Sequence, residues 1–136
     1  MNGAGDPLSD SDAPYHAHIY FSGEERAAAE LLREALIRRA GDRGPILFVG
    51  RMTEGKAGPH PIPQFEIHFL ERSLADIVSA IEASGLRALI HPLTDDDLAD
   101  HTLFGRWIGE PVELDLKVLD PPGRNQGVGR FGKTDF

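Results

Sequence analysis

The residues of this chain best suited to chemistry are its six histidines: His16, His18, His60, His68, His91 and His101. An imidazole titrates near neutral pH, can pass protons, and in its neutral form is the commonest protein ligand for transition metals. Spacing says more than number. His16 and His18 stand two apart in Tyr15-His16-Ala17-His18-Ile19-Tyr20-Phe21, a run that alternates with the period of a half-buried strand. On such a strand Ala17, Ile19 and Phe21 face a core. His16, His18 and Tyr20 share the other face, where two imidazoles can approach one ion. Glu66 and His68 repeat the spacing between Gln64 and Leu70, and Glu66 could complete a two-histidine, one-carboxylate set of the kind used by ferrous oxygenases. His60 lies between Pro59 and Pro61, so it is carried on a stiff segment. His91 precedes Pro92 at the end of an apolar run, and His101 ends a short acidic stretch.

The intervening segments must position these side chains. Ser22 and Glu25 have the spacing of a capping box, which opens a helix from about residue 23 to 40 with Ala28, Leu31, Leu32, Ala35 and Leu36 on its buried stripe. Residues 45–52 read as a second strand, and a Gly/Pro-rich loop leads from there to a third at 64–70. Ser73 caps a second helix that stops at Gly85, and residues 87–92 form a fourth strand. Thr94, followed by Asp95 to Asp97, opens a short helix carrying His101. The alternation from Val112 to Val118 suggests one more strand, added at an edge or exchanged with a second subunit. The order strand, helix, strand, strand, helix, strand is that of a ferredoxin-like α+β sandwich: a four-stranded antiparallel sheet with two helices on one face, here with an extra C-terminal strand. Residues 14–120 make one domain, between a disordered lead (1–13) and a flexible tail (121–136), both poor in large apolar groups.

With strand order four-one-three-two, strand one is central. Taking strand three as parallel and strand four as antiparallel to it, His16 and His18 share one end of the sheet with His60 and His91. His101 folds over that end, and His68 lies toward the far end in a structural or incidental role. The histidine face is then open to a ligand, a partner subunit or both.

Composition excludes several classes. A net charge of -8 argues against binding nucleic acid through its phosphates. Without cysteine there are no disulfides, thiolate ligands or cysteine nucleophiles. No apolar run approaches a membrane span and no signal peptide is seen at the start, so a cytoplasmic setting is expected. No phosphate loop or Ser-His-Asp context stands out.

His16-Ala17-His18-Ile19-Tyr20-Phe21, Gly58-Pro59-His60-Pro61, His91-Pro92-Leu93-Thr94, Asp100-His101 and Trp107-Ile108-Gly109-Glu110-Pro111 occur in the order in which similar motifs run through the DOPA 4,5-dioxygenase family, which this chain resembles over roughly residues 14 to 119. The resemblance implies a ferredoxin-like architecture and extradiol cleavage of a catechol ring by O2 with non-haem iron. It carries His18, His60, His91 and His101 as functional residues, with His16 as an addition. Because His16, His18 and His91 belong to neighbouring strands, they are assigned to the metal. Fe(II) is expected there, with another divalent ion such as Zn as the alternative. His60 and His101 fall to substrate contact and proton transfer, and His60 could trade places with His16. Arg51 and Arg106 are candidates for a substrate carboxylate. Two other readings stay open, a non-catalytic module holding a metal or small aromatic ligand and a structural dimer whose open sheet face is simply the subunit interface; a homodimer is expected under all three, through paired sheet faces and a late exchanged strand.

Overall fold

The computed structural model describes residues 13–41, 44–56, 58–94 and 96–119. The lead through residue 12, the tail from residue 120 and Asp95 lie outside them. Among the described residues the order is β1 (Pro14–Tyr20), α1 (Arg26–Ile37), β2 (Phe48–Val49), β3 (Gln64–Leu70), α2 (Leu74–Ser84), β4 (Arg87–Pro92), α3 (Asp97–His101) and β5 (Arg106–Ile108). The five strands form one sheet in the order β2-β3-β1-β4-β5, and every neighbouring pair is antiparallel. The fold is therefore α+β, with β1 central as expected.

One face of the sheet is dry. Ala17, Ile19, Phe65, Ile67, Phe69, Ala88 and Ile90 alternate onto it and meet Leu32 and Leu36 of α1 and Ile77 and Ile81 of α2. Burying each large apolar side chain of this kind stabilises the fold by about 1.5–3 kcal/mol. The stripe of α1 is Ala29, Leu32 and Leu36, one residue out of phase with the expected stripe at its start, and Leu31 is 69% exposed. The Ser22–Glu25 capping box forms in both directions, although regular helix begins only at Arg26. Gly85 ends α2 with φ 77°, a left-handed conformation that costs glycine no Cβ clash.

Several expectations need correction. β3 runs antiparallel to β1, so Tyr15 faces Phe69 and Tyr20 faces Gln64. The crossover through α1 returns β2 in the direction of β1, so β3, antiparallel to β2, runs against β1. The fifth strand is Arg106–Ile108, which adds to β4, whereas 112–118 forms no ladder and ends in a 3-10 turn. Its period-two pattern has a different cause: Val112 and Leu114 pack with Tyr20, Leu89, Ile62 and Trp107 as a small second core. The third correction concerns α3, whose cap is Asp96 and not Thr94. The Asp96 carboxylate accepts from the Ala99 N–H at 3.0 Å, and Thr94 donates its hydroxyl to buried Asp100 at 2.7 Å.

The second core also changes the status of the histidine face. That face is not open, because residues 50–56 and 58–63, α3 and residues 112–119 roof it, and its histidines are buried. Asp115 N–H donates to the Pro59 carbonyl at 2.8 Å and Lys56 pairs with Asp115 at 2.6 Å, which ties two parts of the roof together.

Candidate metal centre

Strand register sets the site in rows. His16 lies opposite His68 of β3 on one side and His91 of β4 on the other, so three imidazoles cross the sheet in line. One step along, His18 lies opposite Glu66 and Leu89. The antiparallel alignment thus brings His68, expected at the far end, directly against His16: the rings stack at 3.9 Å between centroids, 14° from parallel. His60 comes in from the loop and lays its ring 4.0 Å from that of His18. His101, at the end of α3, reaches to 4.2 Å from His91. All six histidines are buried, and the five assigned from the sequence to metal or proton transfer are brought together.

Hydrogen bonds fix tautomers in the middle of this cluster. The Nδ1 of His91 lies 2.7 Å from the Pro92 carbonyl, which can only accept, so Nδ1 carries the proton. His18 Nδ1 lies 3.2 Å from Gln64 Oε1 and likewise donates. The amide orientation is supported from its other end, where Gln64 Nε2 meets the Thr53 hydroxyl at 3.4 Å. Both rings are then left with bare Nε2 lone pairs, yet those two nitrogens face each other at 2.9 Å. Two lone pairs at that distance repel unless a cation lies with them.

A proton is a poor choice for that cation. Burial, and after it neighbouring histidines, hold His18 and His91 well below the usual imidazole pKa. A metal ion accepts the same lone pairs without needing a charged imidazole. The separation is close to the roughly 3.0–3.4 Å between adjacent nitrogens around an ion with ~2.1 Å bonds. Residues and donor chemistry therefore fit a metal. His16 completes the set: ligand atoms of His16, His18 and His91 all lie within 4.8 Å of one another. His16 is also held neutral by burial, and its Nδ1 sits 3.6 Å from the Glu66 carboxylate.

Two further groups meet the same distance condition, His18–His60–His101 and His16–Glu66–His68. In the second, the nearly parallel stacking of His16 and His68 makes their in-plane lone pairs run side by side rather than converge, and Glu66 already bonds His68 Nε2 at 2.7 Å. In the first, His60 spends Nδ1 on the Tyr20 hydroxyl at 2.7 Å. Burial and the nearby His101 push the His60 pKa down to about 3, so this ring is neutral at pH 7 and a weak base.

His16, His18, His60, His91 and His101 form the floor of a cavity of about 1060 Å³. Phe48, Met52, Arg51 and Leu119 are among its walls, which gives an apolar slot beside a cation. Arg106, the other sequence candidate for a carboxylate, is exposed on β5 and does not line this space. Sequence reasoning placed Gln64 and Tyr20 on the correct face but gave neither a role. Their signal was the alternation itself, since each precedes or follows a histidine or glutamate by two.

The model of the Dopa 4,5-dioxygenase family matches residues 15–118. This chain belongs to that family. It is 36% identical over 113 residues to a DOPA 4,5-dioxygenase of Amanita muscaria, an alignment covering 77% of this chain and 49% of the relative. A protein of 21.2 kDa from Botryotinia fuckeliana, named as uncharacterized, is 31% identical over 115 residues, with 77% and 62% covered. The chain therefore spans about half the length of the first curated relative and under two thirds of the second. In three dimensions it is similar to the crystal structure of a "putative dioxygenase" from Nostoc punctiforme, with a TM-score of 0.70, 30% identity, and 83% of this chain and 94% of that one covered.

Proposed function

We propose that this family member, on a ferredoxin-like frame, is a non-haem iron dioxygenase that opens the ring of a catechol such as L-DOPA with O2. The observation that carries the reading is the pair of bare Nε2 atoms of His18 and His91, facing at 2.9 Å on the floor of a cavity large enough for one aromatic ring. His16, His18 and His91 would hold the ion. When bound, Fe(II) supplies a redox-active centre with open positions at which a catechol and O2 can meet.

The chain's own residues do the rest. Phe48 and Met52 give the ring an apolar wall. Arg51 is placed to receive a side-chain carboxylate. His101, which lines the cavity, would take the proton of a catechol hydroxyl onto an imidazole nitrogen, since His60 already has its Nδ1 engaged by the Tyr20 hydroxyl. The catechol loses one ring carbon–carbon bond beside its diol and gains both atoms of O2.

A homodimer, expected above from an uncovered sheet face, would have to use another surface, because the histidine face is roofed within one chain. Among the described residues no helix is long and apolar enough to cross a membrane, which is compatible with the cytoplasmic setting we infer.

The reading is tested with protein loaded with Fe(II) under anaerobic conditions and then exposed to O2 and a panel of catechols. Catechol-dependent O2 uptake, with a yellow product from L-DOPA and about one ion per chain, is expected. Iron retained at that stoichiometry without uptake on any catechol would favour the non-catalytic binding module instead.

A further inference from the structure

We infer that Tyr20 is a positioning residue that locks His60 as a hydrogen-bond donor facing the cavity, reserved for an oxygen atom of the bound substrate and withheld from the metal. The inference deepens the dioxygenase reading, but its evidence is separate from it.

Tyr20 ends β1, is wholly buried, and stacks on Trp107 at 6.0 Å between centroids and 21° from parallel. Trp107, Leu89 and Val112 enclose the ring, so the phenol cannot swing to another partner. Among the described residues, its hydroxyl has one hydrogen-bond partner, His60 Nδ1 at 2.7 Å. A phenol titrates near 10, so its proton is present at neutral pH, and a buried O–H that points nowhere costs free energy. Were His60 to donate from Nδ1, the Tyr20 proton would have no acceptor. The arrangement that satisfies both groups has Tyr20 O–H donating to Nδ1.

The consequence follows from the two-nitrogen arithmetic of a neutral imidazole. With Nδ1 accepting, the proton of His60 resides on Nε2. His60 lines the cavity, and its Nε2 makes no hydrogen bond to another described residue. An N–H in that position has no lone pair to give a metal. It is suited to an oxygen of a catecholate. His60 also sits between Pro59 and Pro61, and the Pro59 carbonyl is held by the Asp115 N–H, so its backbone is fixed as well as its ring. The metal ligands have the opposite polarity: His18 and His91 keep the proton on Nδ1 and leave Nε2 bare. One site thus holds imidazoles of both tautomers, each set by an outer partner, and their roles divide accordingly.

Nitrogen NMR of full-length, zinc-loaded protein with 15N-labelled histidine reads this directly, with a His60→Gln variant to assign the His60 signals. Wild-type His60 is expected to show a protonated Nε2 and a bare Nδ1. In Tyr20→Phe, which removes only the hydroxyl, those signals should move toward a mixture of the two tautomers while zinc stoichiometry stays at the wild-type value. A proton on Nδ1 of wild-type His60, as zinc ligation through Nε2 would require, overturns the assignment. So does a His60 tautomer unchanged in Tyr20→Phe. Neither outcome depends on whether any catechol is turned over.

Discussion

Replacing His91 with Ala should release the metal and abolish catechol turnover, while replacing His101 with Ala should retain the metal and lose turnover alone. The two variants separate the competing ligand sets, which share His18 and differ in whether His91 or His101 belongs. Zinc sites in small peptides are worth about 10–16 kcal/mol over four ligands, so one ligand contributes about 3 kcal/mol, or roughly a hundredfold in affinity. His91→Ala should weaken metal binding by at least that factor, measured by titration against a competing chelator. His101→Ala should leave affinity within a few fold and lower the turnover rate by about 10²–10⁴, the usual contribution of a positioned general acid or base. The reverse pattern, with His101→Ala losing the ion and His91→Ala keeping it, would move the metal to His18, His60 and His101. Circular dichroism of both variants guards against a folding defect.

Metal-free protein should lose several kcal/mol of stability between pH 7.5 and 5.5. His16, His18, His60 and His91 all have folded pKa values lowered, chiefly by burial and in each case also by His101. In the unfolded chain each titrates near 6.5. Below that pH the unfolded state takes up protons that the folded state refuses, so stability rises with pH here and falls on acidification. The contribution is intact above about 6.5. It declines as pH drops, until the folded groups themselves protonate, near 3 for His60. Each histidine costs about 1.4 kcal/mol per pH unit once below 6.5, and four give roughly 5 kcal/mol by pH 5.5. That rivals the whole stability of an ordinary domain, about 5–15 kcal/mol. Carboxylates titrate lower and do not contribute in this window. Urea denaturation at pH 7.5, 6.5 and 5.5 measures the slope. Equal midpoints at all three would show that the histidines are not held neutral together.

Much of this was legible in the chain because two strands obey their pattern without exception. Gln64–Leu70 and Arg87–Pro92 have the bounds that their residues suggest, and the alternation in Tyr15 to Phe21 put His16 and His18 on one face and Ala17 and Ile19 on the other. The cluster could be foreseen since His16, His18 and His91 needed only the central position of β1. Direction was harder. Whether β3 runs with or against β1 leaves its own alternation untouched, but it decides whether His68 or the residue before the strand meets His16. Val112 to Val118 misled for a different reason: its first part lies over Tyr20 and Leu89 with no ladder, burying Val112 and partly Leu114, while Leu116 and Val118 stay exposed. The outer partners of the imidazoles were also hidden. Gln64 reaches His18 diagonally across the sheet, and the Pro92 carbonyl is backbone, so neither leaves a motif.

The most direct measurement supplies 18O2 to iron-loaded protein with L-DOPA and weighs the product, its new aldehyde trapped by reduction before its oxygen exchanges with water. A dioxygenase inserts both atoms, so the ring-opened product should carry two 18O labels, and protein with His91→Ala should yield none. Oxygen consumed into peroxide, or a product with the catechol ring intact, would contradict the account.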